Sequence, residues 1–489
     1  MSKLFVFGIG GTGSRVLKSL TMLLMAGVRT KVDEIIPIVI DKDETNGDLV
    51  RTKRIIENYM NARKAFAHDR DKFFSTEVSL LDNKLCLPLI DRKKKFSDYI
   101  MLDQLDTPNR AIVEALFSKK ALDMDTTEGF RGIPSIGSVV LNQFEDSENF
   151  KSFAQQFTPG DKIFIISSIF GGTGASGFPL LVKTLRGNTN LPSWDSIQEA
   201  PIGAISVLPY FVVGEADEEG KVNVDSDTFT DKAKAALAYY AETMEGQVDS
   251  MYYAGDKKVS TYSYSAGGSE QENRAHLIEL VSALAIVDFA NKEMHERTGE
   301  TTYHEFGILS PQLNIDRILF ADLHTDTRKL ICNPLIQFYA FNQYMKLVFD
   351  AENVHQPWSH NYPWNKTNDF DKVFRQSNSM STLNDCLNSF SNWLMELNDK
   401  DVHRHRFSPF NLTNQSIAFV LGNSNDIVIK RGKFLYRDWA WFDNELNRQS
   451  TKRDTQISES LSKEQRFLEL FYRTTKKFVD DLIPNSQDN

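Results

Sequence analysis

Two glycine-rich segments, each between a strand pattern and a helix pattern, constrain the fold more than any other feature of the sequence. The first, GIGGTGSR at residues 8–15, follows the apolar run 4–8 and precedes a helix predicted at 14–25. The second, FGGTGASG at 170–177, follows the apolar run 163–169 and precedes a helix that ends near Gly187. Glycines let backbone N–H groups approach a phosphate, and a helix N-terminus adds positive potential. Each segment is therefore predicted to bind phosphate, the alternative being a glycine turn that only packs helix against strand.

Strands and helices alternate through the first half of the chain. Further strands are predicted at 35–40, 202–207 and 248–254, and helices at 231–244 and 272–297. This alternation predicts an α/β fold with a mainly parallel sheet covered by helices on both faces. Ligands bind such sheets at the carboxyl ends of the strands, which is where both glycine segments lie.

Composition and charge are those of an ordinary globular protein. The 489 residues are 41% apolar and 25% charged, and 56 basic residues against 66 acidic ones give a net charge of −10. That acidic balance argues against broad nucleic-acid binding. The chain starts without a signal-peptide pattern and contains no apolar run long enough to span a bilayer. Its cysteines, Cys86, Cys332 and Cys386, are too far apart in sequence for a disulfide framework or a metal-ligand spacing, so we expect a cytoplasmic protein.

The rest of the chain falls into two predicted parts. A highly charged stretch at about 44–125 is predicted to be a surface insertion of helices and loops. From about residue 298 an α+β C-terminal domain is predicted, with strands at 315–321 and 416–421, helices at 334–349 and 381–398, and a terminal helix at 462–483. Ser462 and Gln465 have the spacing of a capping box at the start of that last helix.

A third glycine segment, GFRGIPSIG at 129–137, has the composition to wrap a terminal phosphate, or to form a plain turn. The first segment alone also satisfies the dinucleotide fingerprint GxGxxG, with Asp41 after the second strand as the ribose-binding acid. That alternative predicts a Rossmann-type oxidoreductase. It leaves the second and third glycine segments unexplained.

Taken in order, these segments resemble the tubulin/FtsZ superfamily over roughly residues 1–297. GGTGASG is similar to the tubulin signature, GIGGTGSR to the opening GxGGxG loop, and GFRGIPSIG to the FtsZ loop beside the γ-phosphate. The run LPYF, a helix and VDSMYYAGDKK resemble the FtsZ stretch with a proline-aromatic pair, a helix and a Val-Asp-Ser strand. The chain looks most like the divergent bacterial tubulin-like proteins.

The resemblance implies a GTP-binding domain at 1–271, a central helix at 272–297 and a C-terminal domain at 298–489. It also implies GTP or GDP with Mg²⁺ shared between phosphate oxygens and water, head-to-tail self-assembly into filaments, and slow hydrolysis at the subunit junction. Protein partners are expected at the insertion or the C-terminal helix. The nucleotide-binding residues implied are Gly10, Gly11, Thr12, Gly13, Arg15, Asp41, Asp43, Gly132, Pro134, Gly171, Gly172, Thr173, Gly174, Ala175, Asn273 and His276.

The sequence also departs from the family pattern. Phe170 and Ser176 replace glycines of the signature, and His276 stands where FtsZ offers an asparagine to the guanine. The family's catalytic GxxNxD loop is matched only by PQLNID, which makes Asn314 and Asp316 the catalytic candidates, or else a strand-entry turn. These departures keep a second function open, that of a nucleotide-gated interaction protein without dynamic polymerisation. Cell division, DNA segregation and a stress or defence system all remain open as the cellular process.

Overall fold

The computed structural model describes residues 2–67, 69, 72–87, 95–126, 130, 133–213, 229–256, 260–262, 272–305, 317–349, 357–361, 364–365, 369–403, 405–412, 438–452 and 460–482. Of the sequence predictions, Gly132, Asn314, Asp316 and the strand at 416–421 lie outside these residues.

The strands of the described residues form one large sheet and two small ones. They are β1 (Lys3–Ile9), β2 (Glu34–Ile40), β3 (Glu77–Val78), β4 (Lys162–Ser168), β5 (Ile202–Val207), β6 (Phe211–Val213), β7 (Ser250–Ala254), β8 (Ser260–Tyr262), β9 (Thr302–Glu305), β10 (Arg317–Ile318) and β11 (Arg406–Phe407). The large sheet has the order β3-β2-β1-β4-β5-β7-β9, and every neighbouring pair in it is parallel. The small sheets pair β6 with β8 and β10 with β11.

Helices connect and cover these strands. They are α1 (Gly10–Met25), α2 (Gly47–Phe66), α3 (Phe96–Tyr99), α4 (Thr107–Leu116), α5 (Lys119–Leu122), α6 (Pro134–Leu141), α7 (Glu148–Gln156), α8 (Gly172–Gly187), α9 (Trp194–Gln198), α10 (Phe229–Thr243), α11 (Leu277–Asn291), α12 (Thr325–Leu347), α13 (Lys372–Arg375), α14 (Asn378–Leu397), α15 (Trp439–Ser450) and α16 (Lys463–Leu482).

The central strands are buried on both faces, which is why their sequences are continuous apolar runs. On one face Phe164 of β4 packs against Phe289 of α11, with ring centroids 5.5 Å apart. On the other face, Phe5 and Phe7 of β1 both meet Phe153 of α7, at 5.0 and 5.1 Å. The predicted α/β class with a mainly parallel, doubly covered sheet is confirmed.

The sheet order positions the two main glycine segments. Because β1 and β4 are parallel neighbours, their carboxyl ends meet at one edge of the sheet. The helices that follow them, α1 and α8, therefore start side by side. Both helices begin inside the glycine segments, at Gly10 and Gly172, whereas the sequence predicted the first of them to begin only at residue 14.

The charged stretch at 44–125 is only partly a surface insertion, so that prediction needs correction. Its first helix, α2, packs against α1 and α14, and it buries Ile55, Ile56, Tyr59 and Phe66. The stretch also supplies β3, the edge strand next to β2. The charged residues on the exposed face of α2 made this segment look like surface, but its opposite face is apolar and packs in the core.

The C-terminal part is mainly helical and is built onto the first half. Helices α12, α14 and α16 pack on α1 and α2, and Trp393 of α14 donates a hydrogen bond to Ser19 of α1 (3.2 Å). The capping box at the start of α16 is confirmed, because the Ser462 backbone N–H donates to Gln465 and the Gln465 N–H donates to the Ser462 hydroxyl. The apolar side of α16 is buried within the chain, at Phe467, Phe471 and Phe478 among others.

In the part of the chain that the structure describes, no helix has both the length and the apolar character needed to cross a membrane.

Candidate functional site

The first turns of three helices lie against one another at the carboxyl edge of the sheet. Gly10, with a φ of +69°, begins α1, and a Cβ added to it would lie 3.4 Å from the Thr173 Cβ in the first turn of α8. A Cβ added at Gly137 of α6 would lie 2.9 Å from the Gly172 carbonyl oxygen. At Gly10 the positive φ favours glycine, and at Gly137 a side chain would collide with the first turn of α8.

None of these three helices has a side chain capping its N-terminus. Their N-cap residues are Ile9, Gly171 and Ile133. By contrast, the N-cap side chains Asn46 of α2, Ser147 of α7 and Ser377 of α14 accept hydrogen bonds from first-turn N–H groups. The uncapped first turns present backbone donors and the positive ends of helix dipoles, the arrangement that suits an anion.

The glycines of the site have different roles. A Cβ at Gly13 would lie 2.5 Å from the Gly8 Cα, and one at Gly174 would lie 2.5 Å from the Ser168 carbonyl oxygen. These two residues therefore let a helix sit directly on the end of its own strand. At Gly11 an added Cβ meets only the Arg15 Nη1, at 3.5 Å, so space is available there. Sequence reasoning did not separate the two roles.

The predicted site residue Arg15 lies in a buried ion network. Its Nε donates to Glu279 Oε1 (2.7 Å) and its Nη1 to Asp48 Oδ2 (3.0 Å). Its Nη2 donates to the hydroxyl of Tyr210 (3.1 Å) and lies 3.4 Å from the Thr12 hydroxyl. Arg15 therefore connects α1 to α2 and α11.

The two residues predicted to read the base are brought to the same network. The backbone N–H and side-chain Nδ2 of Asn273 donate to the two carboxylate oxygens of Asp48, both at 2.9 Å. His276 is the N-cap of α11: its Nδ1 accepts from the Ile278 N–H (3.0 Å), and its own N–H donates to Glu279 (3.1 Å). The central helix thus begins at Leu277, not at 272, and it ends at Asn291.

Asp41 and Asp43 lie at the end of β2 and are both buried. The Asp43 N–H donates to Asp41 Oδ1 (3.3 Å), and the Thr45 hydroxyl donates to Asp43 Oδ1 (2.8 Å). Burial raises the pKa of Asp41 to about 7, and repulsion from Asp43 also raises it. The neighbouring Lys42 donates to the Thr126 hydroxyl (2.9 Å).

Two further predicted residues, Pro134 and Ala175, occupy first turns. Pro134 is the first residue of α6, where its missing N–H costs nothing. The Ala175 carbonyl accepts from the Tyr240 hydroxyl (3.1 Å), which ties α10 to the start of α8.

Sequence reasoning missed four residues that organise this region. They are Asp48, Tyr210, Glu279 and Glu396, and Glu396 Oε2 accepts from the Ala275 N–H (2.8 Å). One of them had a readable signal. Glu279 is the only acid in the otherwise apolar run LIELVSALAIV, and an acid on a buried helix usually has a partner.

The described residues contain no group of three or more His, Cys, Asp or Glu side chains arranged to hold a metal ion.

No protein-family model matches the chain, and no curated protein matches it. Solved structures do match, among them that of CetZ from Methanosaeta thermophila strain DSM 6194, with 16% sequence identity and a TM-score of 0.27. The match covers 61% of this chain and 57% of the CetZ chain, so it spans less than two thirds of that protein. A similarity at this level establishes neither fold nor function.

Proposed function

We propose that this chain is a tubulin/FtsZ-like nucleotide-binding protein that holds the phosphates of GTP on the first turns of α1 and α8. The first turn of α6 would complete the cradle on the γ-phosphate side. Mg²⁺ would be bound by the phosphate oxygens and water, since the described residues offer no complete ligand set for it.

The proposal depends mainly on the convergence of the three uncapped first turns. Single glycine turns are common, but here the first turns of α1 and α8 lie so close that a Cβ added at Gly10 would be in van der Waals contact with the Thr173 side chain. The adjoining backbone N–H groups can donate to one polyphosphate from two sides. The order of the glycine segments along the chain, which resembles the tubulin/FtsZ order, supports the same function.

Head-to-tail assembly with GTP at the subunit junction is part of this proposal. It is supported by the resemblance of the glycine segments and by the PQLNID segment, in which Asn314 and Asp316 would be the polar pair that completes the next subunit's site. Such a heterologous contact produces open filaments unless its rotation closes a ring.

The first test is to identify the nucleotide that the protein binds. Protein purified in the presence of Mg²⁺ is denatured, and the released nucleotide is identified by chromatography and mass spectrometry. We expect a nucleoside di- or triphosphate. A nicotinamide dinucleotide would instead support the Rossmann alternative, whose strand order 3-2-1-4-5 is also the order of this sheet.

One observation favours a second function, that of a nucleotide-gated interaction protein. Glu396, near the end of α14, accepts from the Ala275 N–H and forms ion pairs with Lys18 of α1 and Arg51 of α2. A shift of α1 on nucleotide binding would therefore change the contacts of α14 in the C-terminal part. Sedimentation with GTP, with GDP and without nucleotide separates the two functions, because only the filament model predicts pelleted protein with GTP.

A further inference from the structure

We infer that the site selects its ligand by the polyphosphate and discriminates little between bases, so that GTP, ATP and pyrimidine nucleoside triphosphates bind with similar affinity. This inference rests on the proposed function and defines its ligand class as nucleoside triphosphates in general. Four observations on the residues around the start of α11 carry it.

The first concerns Asn273, whose amide is the better of the two candidate base readers. A side-chain amide can recognise a base by offering a donor and an acceptor together. Here the amide nitrogen donates to Asp48 Oδ2, and the backbone N–H of the same residue donates to Asp48 Oδ1. Asp48 is itself paired with Arg15 at 3.0 Å, so the amide nitrogen is held by a buried acid that already has a partner.

The second concerns His276, which has no exposed surface. One ring nitrogen caps α11 by accepting from Ile278, and the ring packs between those of Tyr210 and His403, each with its centroid 4.7 Å away. Burial, followed by the nearby His403 and Arg15, lowers the pKa of His276, so the imidazole is neutral at pH 7. A purine edge would have to displace one of the two rings to reach it.

The third and fourth are the contacts of Glu279 with Arg15 and Tyr210. Glu279 Oε1 accepts from Arg15 at 2.7 Å and from the Tyr210 hydroxyl at 3.1 Å, and all three side chains are buried. These buried hydrogen bonds join α1 to the first turn of α11. Separating them for a base would leave charges buried without their partners, which is strongly unfavourable.

The phosphate side of the site has the opposite character. Its donors are backbone N–H groups of first turns, which recognise negative charge and geometry but carry no information about the base. Affinity is therefore expected to come from the phosphates.

The test is calorimetric titration of the full chain with GTP, ATP, CTP and inorganic tripolyphosphate, each in the presence of Mg²⁺. We expect the three nucleotides to bind within about fivefold of one another, because a site that reads a base by paired hydrogen bonds discriminates by roughly tenfold or more. Tripolyphosphate should also bind. GTP binding more than about fivefold tighter than ATP would overturn the inference and leave the proposed function intact. If none of the four binds, the proposed function itself fails.

Two variants make this test more specific. They are compared with the parent by the ratio of GTP affinity to ATP affinity, which does not depend on the fraction of folded protein. Asn273→Ala and His276→Gln should leave the GTP-to-ATP affinity ratio of the parent unchanged. A change of more than about tenfold in that ratio, the loss of one discriminating contact, would show that the residue reads the base. Tyr303→Ala, at a half-exposed residue of β9, is the control for substitution far from the site.

Discussion

A methyl group added at Gly13 would lie 2.5 Å from the Gly8 Cα, whereas one added at Gly11 meets only the end of the Arg15 side chain. Gly13→Ala should therefore force α1 away from β1 and destabilise the fold by about 1–3 kcal/mol or more. Gly11→Ala should keep or slightly raise the stability, because it removes a helical glycine. Urea denaturation of the two variants measures the difference, and equal stabilities would contradict this assignment of roles.

A larger substitution at Gly11 tests nucleotide binding separately from folding. Gly11→Val places a larger side chain where the phosphate is proposed to lie, so we expect folded protein with nucleotide affinity below detection. Unchanged GTP affinity of a folded Gly11→Val protein would show that the phosphates lie elsewhere.

Asp41 should make the stability of nucleotide-free protein depend on pH. Its pKa is raised from 3.8 to about 7 by burial, so between these values the unfolded state releases the proton first and stability falls as the pH rises. Asp41→Asn has no carboxyl group at this position, so this pH dependence is absent from it. The free energy of unfolding of Asp41→Asn, relative to that of the parent, should increase by about 2–3 kcal/mol from pH 5 to pH 7, at about 1.36 kcal/mol for each pH unit. Denaturation at several pH values checks this, and a pH-independent difference would contradict the raised pKa.

Helices α1 and α11 are joined by the ion pair between Arg15 and Glu279, which is 4% and 0% exposed. Either Arg15→Leu or Glu279→Leu alone should destabilise the protein by about 3–5 kcal/mol, because the remaining charge stays buried. The double variant should cost less than the sum of the two, and a double-mutant cycle measures the coupling.

A matched control for that cycle is the pair between Lys31 and Glu293, at a similar N···O distance of 2.8 Å but 60% and 80% exposed. Water and salt screen such a pair, so Glu293→Gln should not change the stability measurably. Additive effects of the Arg15 and Glu279 substitutions would mean that the buried pair does not couple the two helices.

Strands were predictable from the sequence where both of their faces are buried. β5 was predicted residue for residue, and β1, β2 and β4 to within one residue at each end, because strands buried on both faces are apolar over most of their length. The edge strands β3 and β9 escaped prediction, being two and four residues long and partly charged. A helical stretch was predicted where α2 lies, but its packing in the core was missed because one of its faces is charged.

Assembly and hydrolysis are expected to be linked in the whole molecule. If the site is shared between subunits, GTPase activity per subunit should rise with protein concentration. Asp316→Ala should bind nucleotide and assemble as the parent does, but its turnover should fall about 10²–10⁴-fold, the usual contribution of a positioned proton acceptor. Asp316 lies outside the described residues, so this prediction rests on the sequence.

Two outcomes would contradict that mechanism. Activity that does not depend on protein concentration would exclude a shared site. Parent-level hydrolysis by Asp316→Ala would assign the acid to another residue, for which Glu300, just before β9, and Glu305, the last residue of β9, are candidates. No hydrolysis by the parent would favour the nucleotide-gated interaction protein.

The sequence alone determined the α/β class, the central strands, the presence of a helix after each of the two main glycine segments, and the cap of α16. All of these follow from near neighbours in the chain, through periodicity, the conformational freedom of glycine and side-chain spacing. Only the tertiary structure determined which buried polar and charged residues pair with one another. Arg15 and Glu279 are 264 positions apart, and Asn273 meets Asp48 across 225. Such pairs form because a buried charge requires a partner, and only the folded chain determines which partner lies within reach.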